Sequence, residues 1–154
     1  IGEKGMSTAL IETLIDILSV KGRVFISSEG DLDQNLIKYR LPVHASRMHH
    51  VLAACDMFIG DSQTMAAEAA VLGTPSIRMN SFVGRISYLE ALESQFELTF
   101  GYKPDQEEKM LAKVELLLQD DNLKKNWLIK RDIMLKQWID PTPVFWEELS
   151  RYIK

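Results

Sequence analysis

Hydrophobic and polar positions in the middle of the chain fall into blocks that predict a strand, a helix and a second strand. The apolar run at residues 57–59 is typical of a buried parallel strand, and a turn signal at 60–62 follows it. Residues 65–72 are rich in alanine and have high helix propensity. Gly73 ends that helix, because glycine readily adopts the left-handed conformation of a C′ residue. Residues 76–79 then resume as a strand, which completes a β-α-β unit.

The flanking pattern extends this unit to an open parallel sheet covered by helices. Apolar positions at helical spacing predict a helix over residues 7–20. Residues rich in β-formers predict strands at 23–28 and 96–101, and a proline-containing edge strand is expected at 41–43. Alternating helices and strands of this kind predict an α/β fold with a Rossmann-like open parallel sheet.

The last third of the chain is predicted to be helical. Apolar positions recur at helical spacing along two helices between residues 104 and 140. The Pro-Thr-Pro sequence at 141–143 predicts a rigid break before a last helix. We therefore expect a Rossmann-like domain over residues 1–140 and a C-terminal helix over residues 141–154.

The turn before the alanine-rich helix is a candidate phosphate site. A helix N-terminus that follows a parallel strand presents unpaired N–H groups and the positive end of the helix dipole. The hydroxyls of Ser62 and Thr64 and the amides from Gln63 to Met65 lie at that position. A phosphate or pyrophosphate is the ligand that such a turn favours.

Glu68 lies six residues after Ser62, inside an otherwise apolar helix. A carboxylate at this position can accept two hydrogen bonds from a ribose diol. From spacing alone, the alternative stays open that Ser62 is only a helix cap and Glu68 only a solvated residue.

The sequence around this turn resembles known nucleotide-binding proteins. The pattern at residues 56–75 is similar to the nucleotide-binding C-terminal half of GT-B-type glycosyltransferases and of the UDP-N-acetylglucosamine 2-epimerases. It is closer still to an uncharacterised prokaryotic family with a GT-B-like two-domain architecture, which residues 1–6, 48–52 and 80–89 also resemble. The chain departs from the epimerases at residues 63–64, where they carry a Gly-Gly pair.

The resemblance implies a function. It implies that the Ser62 turn holds the diphosphate, and Glu68 the ribose, of a nucleotide diphosphate sugar used in glycosyl transfer or sugar isomerisation. Catalytic residues would then lie largely in an N-terminal domain of the same protein. Two alternatives remain: a non-catalytic nucleotide-binding or regulatory module of the same fold, and a structural domain in which Ser62 merely caps a helix.

The resemblance also implies that the chain is a fragment of a longer two-domain protein. No strand precedes the first predicted helix, so the N-terminal domain and the first strand of this sheet are expected to be missing. In the related families that strand lies between the strands that correspond to 23–28 and 57–60. We expect these two segments to face a gap, filled by residues not shown here rather than by direct pairing or by another chain.

Two further residues are candidates for the same site. Arg85 lies in the loop after residues 76–79, where it can meet a phosphate bidentately, although pairing with Glu90 or Glu93 is the preferred interpretation. His44 or His49 is placed near the mouth of the pocket by analogy with GT-B proteins, although a capping or core role is favoured for each, and His44 is the one taken as a site residue. The spacing of His44, His49 and His50 does not predict a metal site, and none is expected.

Composition narrows the class of protein. The 154 residues, 46% hydrophobic and 26% charged, suffice for one domain with a sizeable core. A net charge of −4 argues against nucleic acid as a partner. The single Cys55 excludes an internal disulfide and predicts a buried thiol in a reducing, cytoplasmic setting. No apolar run reaches membrane-spanning length, and no motif points to a cofactor.

Overall fold

The computed structural model describes residues 6–153, in which helices flank a small parallel sheet. The strands are β1 (Phe58–Gly60), β2 (Ser76–Met79) and β3 (Thr99–Tyr102). The α-helices are α1 (Thr8–Ser19), α2 (Met48–Ala54), α3 (Gln63–Val71), α4 (Ser87–Ser94), α5 (Glu107–Leu118), α6 (Leu123–Gln137) and α7 (Pro141–Ser150). Short 3₁₀ turns occupy Ile37–Tyr39, Ala45–Arg47 and Pro104–Gln106.

The three strands are parallel and lie in the order β1-β2-β3. The crossover helices α3 and α4 contact each other and pack on the same side of the sheet, where Ser76 and Arg78 point toward them. Side chains alternate along a strand, so Ile77 and Met79 point to the opposite face. There α5 packs on β2 and β3, and α1 packs on α5. The predicted α/β class with a Rossmann-like open parallel sheet is confirmed.

The β1-α3-β2 unit forms as its local sequence predicts. Ser62 caps α3, and the buried face of this helix consists of Ala66, Ala69 and Ala70, each with no exposed surface. Alanine side chains let the helix backbone approach the sheet closely, and the Ala66 carbonyl accepts a 3.0 Å hydrogen bond from the Ser76 hydroxyl of β2. Gly73 follows the C-cap residue at φ 76°, which confirms its predicted left-handed conformation.

The predicted strand at residues 23–28 is wrong except for one residue. Ile26 alone forms a parallel bridge, with Arg40, through bonds from the Ile26 amide to Tyr39 and from the Leu41 amide to Ile26. The expected edge strand at 41–43 does not form either. Within the described residues β1 pairs with β2 alone, so 23–28 finds no neighbouring ladder to join. In the described part of the chain, residues 23–28 do not pair directly with β1, which agrees with the expectation that direct pairing is the less favourable outcome.

Two other boundaries differ from prediction. The last strand begins at Thr99 rather than 96, because Glu97 adopts a positive φ of 51° and the Leu98 amide bonds back to Leu92. The Pro-Thr-Pro sequence is the first turn of α7 and not a break before it. Proline suits this position because first-turn amides have no intrahelical partner. The Asp140 side chain caps the helix by accepting a 2.9 Å bond from the Thr142 amide.

The core and the C-terminal helix differ sharply in burial. Trp127 of α6 is buried, and its indole N–H donates to the Leu98 carbonyl at 2.8 Å. In α7 no residue is buried, and Phe145 and Trp146 are 65% and 68% exposed. None of the helices in the described residues combines the length and apolar character that a bilayer crossing requires.

Replacing Gly73 by alanine should destabilise the fold. The left-handed backbone disfavours a side chain, and an added Cβ would lie 2.7 Å from Leu128 Cδ2. We expect the free energy of unfolding in urea to fall by at least about 1 kcal/mol. Gly22→Ala is the matched control, because nothing lies within 4 Å of its added Cβ. Equal losses in both variants would contradict the conformational explanation.

Candidate functional site

The turns that follow β1 and β2 are joined by Asn80 at the carboxyl edge of the sheet. Its Nδ2 donates to the Asp61 carbonyl at 2.7 Å. Its Oδ1 accepts bonds from Gln63 Nε2 and from the Phe82 amide, both at 2.9 Å. Ligands of open α/β sheets bind at this edge, so Asn80 fixes the geometry where a ligand is expected. The sequence pattern marked Asn80 only as a loop residue.

The start of α3 carries four of the predicted site residues. Ser62 Oγ accepts a 3.2 Å bond from the Met65 amide, so the predicted capping role is present and the Met65 amide is already occupied. The amides of Gln63 and Thr64 are first-turn groups, which have no intrahelical partner. The Gln63 side chain lies on Asn80, and among the described residues its buried Oε1 has no hydrogen-bond partner. The site therefore offers first-turn amides, the hydroxyls of Ser62 and Thr64, and the helix dipole.

Glu68 lies one turn beyond Thr64 on the same face of α3, beside a groove of about 390 Å³. Its Oε1 is 3.4 Å from His49 Nε2 of α2, and its side chain is 33% exposed. The groove wall includes the aromatic side chains of Tyr88 and Trp138. Its volume lies in the range of small-molecule sites, and the surface that lines it is almost entirely apolar, with Glu68 and Thr64 at its border.

The other two predicted site residues lie on exposed loops. The Arg85 guanidinium is 5.7 Å from the centre of the Phe82 ring. The preferred pairing of Arg85 with Glu90 or Glu93 is wrong, because both carboxylates are bound by Arg78 instead. His44 caps the 3₁₀ turn Ala45–Arg47, where its Nδ1 lies 2.9 Å from Ser46 Oγ. Of the three histidines it is therefore His49, and not His44, that borders the groove.

Arg78 of β2 is the charged residue that the sequence pattern failed to single out. Its side chain has no exposed surface, and it lies in a strand whose four residues are all buried. Its Nη2 lies 2.9 Å from Glu90 Oε1 and 3.2 Å from Glu93 Oε2, and Nη1 donates to Thr99 Oγ1 at 3.3 Å. Two glutamates spaced i, i+3 on the next helix were the available signal, since such residues share a helix face.

At Glu93, burial affects the pKa more strongly than the attraction of Arg78 does. Burial raises the pKa of Glu93 above the ordinary glutamate value, against the opposing effects of the Gly101 amide and Arg78. Burial, together with the Glu93 charge, also raises the pKa of Tyr102. The Glu93 carboxyl therefore takes up a proton more readily in the folded protein than in the unfolded chain.

Cys55 is the C-cap residue of α2, on the stretch of chain that leads into β1. Its thiol is half-buried, and burial raises its pKa, which favours the unreactive protonated form. Lys124 donates to the Cys55 carbonyl at 2.7 Å and to the Ala53 carbonyl at 3.1 Å, and burial lowers its pKa. This lysine satisfies terminal carbonyls of α2 and has a structural role. Across residues 6–153 no three His, Cys, Asp or Glu side chains form a metal-binding group.

No family of known proteins, no curated protein and no solved structure matches the chain. The resemblance to GT-B proteins therefore stays a prediction from the residues named above. Of the segments on which that resemblance rests, residues 1–5 lie outside the described part of the chain.

The raised pKa of Glu93 predicts how stability depends on pH. Because the folded state binds this proton more tightly, the contribution of Glu93 to stability falls as the pH rises from about 4 to 7. Glu93→Gln removes that contribution. We expect the stability of Glu93→Gln relative to the unmodified chain, measured by urea unfolding, to increase across this range.

Glu97→Gln provides a control of opposite sign. The hydrogen bond from Lys130 lowers the pKa of Glu97, so its contribution to stability is lost as the pH falls. The relative stability of Glu97→Gln should therefore decrease as the pH rises. A decrease for Glu93→Gln as well would mean that Arg78 outweighs burial.

Proposed function

We propose that this chain binds a nucleotide diphosphate sugar, as one half of a GT-B-type glycosyltransferase or sugar epimerase. The observation that carries the proposal is the geometry at the start of α3. Unpaired first-turn amides, the Ser62 hydroxyl and the helix dipole lie at the carboxyl edge of a parallel sheet, where an anion is favoured. The diphosphate is assigned to this turn, with Gln63 and Thr64 supplying amide donors.

Glu68 and the adjoining groove are assigned to the nucleoside. Thr64 and Glu68 are one helical turn apart, so a ligand on the first turn can extend along α3 to the carboxylate. There Glu68 accepts hydrogen bonds from the ribose hydroxyls, with His49 at 3.4 Å to orient it. The aromatic side chains of Tyr88 and Trp138 give a nucleobase an apolar surface on which to pack.

A non-catalytic nucleotide-binding module is the second candidate. Ser62, Gln63 and Thr64 supply hydrogen bonds but no general base, and the neighbouring Glu68 and His49 face each other. Nucleotide binding by this chain without turnover would fit a non-catalytic module as well as it fits one half of an enzyme. Turnover of a nucleotide sugar when the chain is joined to its N-terminal partner domain would decide for the enzyme.

Substitutions at Ser62 and Glu68 test the proposal. Calorimetry with UDP, ADP, GDP and their sugar conjugates should detect binding by the unmodified chain. Ser62→Asp keeps a good N-cap but places a negative charge against the diphosphate, so we expect it to abolish binding without loss of thermal stability. Glu68→Gln should weaken binding by about 1–3 kcal/mol through loss of charge-assisted hydrogen bonds.

Glu115→Gln, an exposed change on α5, is the matched control and should bind as the unmodified chain does. Equal affinity in Glu68→Gln and the control would remove the ribose role. Unchanged binding in Ser62→Asp would remove the α3 turn as the diphosphate site.

A further inference from the structure

The loop between β2 and α4, residues 80–86, is tied to the rest of the site at two points. At its start, Asn80 bonds the Phe82 amide of the loop and also the Asp61 carbonyl of the turn before α3. At its tip, the Gly84 amide donates to Glu90 Oε1 at 3.2 Å, with Gly84 at φ 89°. The β2–α4 loop is thus held between the turn before α3 and the first half of α4.

The second tie depends on a buried cation. The Glu90 oxygen that accepts from Gly84 also accepts a 2.9 Å bond from Arg78 Nη2. Glu90 is 42% exposed and Arg78 is fully buried, so the cation itself cannot reach a ligand. Its influence passes outward through Glu90 to the loop.

The packing of side chains over β3 independently shows that the β2–α4 loop and the Arg78 guanidinium lie next to each other. A Cβ built on Gly101 would lie 2.9 Å from Arg78 Cζ and Nη2 and also 2.9 Å from Val83 Cγ1. Only a residue without a side chain leaves room for the guanidinium and the loop to lie side by side on the strand. The Gly101 amide is in turn held by Glu93 Oε2 at 3.0 Å.

We propose that Arg78 and Glu90 are positioning residues which hold the β2–α4 loop so that Arg85 meets the diphosphate of the ligand. This inference rests on the proposed function. Arg85 follows Gly84 directly, and its guanidinium carbon lies 5.7 Å from the centre of the Phe82 ring, whose residue is tied to Asn80 through its amide. The two ties therefore fix the loop backbone from which the Arg85 side chain extends, next to the turn before α3. A planar guanidinium at that position can bind phosphate oxygens bidentately.

A double-mutant cycle tests the proposal. Binding of inorganic pyrophosphate and of UDP to the full chain is measured by calorimetry for Glu90→Ala, Arg85→Ala and the double variant. Each single change should weaken binding at least about tenfold, as expected for charge-assisted hydrogen bonds. The double variant should be no weaker than Arg85→Ala alone, because Glu90 acts through Arg85. Glu90→Gln keeps an acceptor for Gly84 and should recover most of the affinity, and Glu115→Ala should bind normally.

Additive losses in the double variant, or normal binding by Glu90→Ala, would overturn the positioning role while leaving the proposed function intact. Absence of pyrophosphate and UDP binding in the unmodified chain would overturn both. Hydrogen exchange separates the loop tie from ligand binding. Without ligand, the Gly84 and Arg85 amides should exchange at least about tenfold faster in Glu90→Ala than in Glu115→Ala. Equal exchange would show that Glu90 does not hold the loop.

Discussion

Burial of the Arg78 cation is the constraint on which the carboxyl edge of the sheet depends. A guanidinium without exposed surface must find anionic and polar partners, since an uncompensated buried charge costs several kcal/mol. Two glutamates and a threonine hydroxyl bind its terminal nitrogens, and Gly101 leaves space for it, whereas its buried Nε has no partner among the described residues. The Glu90 carboxylate that pairs with this cation also accepts a hydrogen bond from the neighbouring loop. The charge buried in the core therefore influences the geometry of the surface loop.

The parts of the fold that were predictable are those whose causes are local. The alanine run and Gly73 specify α3 and its end within a dozen residues, and both were assigned correctly. The strand predicted at 23–28 was wrong because β-propensity describes only a readiness to pair, whereas a strand needs a neighbour. The prolines of α7 were misinterpreted for a related reason: proline stops a helix from within but is well suited to its first turn.

The same distinction, between features with local causes and features that depend on the whole fold, applies to the candidate site. Ser62 and Glu68 could be placed from spacing, because three to six residues on one helix have a fixed geometry. Residue spacing could not show which arginine binds Glu90 and Glu93. Arg78 and Arg85 are both close to these two glutamates in sequence. Arg78 binds them because its side chain points from β2 toward α4, which is known only once the fold is known. Asn80 shows the limit most clearly, since its three hydrogen bonds join segments that only the parallel sheet brings together.

The alanine face of α3 has a thermodynamic consequence for any ligand at its N-terminus. Ala66, Ala69 and Ala70 have no flexible side chains that could repack, and the Ser76 hydroxyl fixes the helix to β2 through the Ala66 carbonyl. The helix therefore cannot slide or roll without opening a void against the sheet. Its first-turn amides are oriented during folding, so little conformational entropy remains to be lost when an anion binds. Affinity at this position is then set by the contacts themselves rather than by the ordering of the protein.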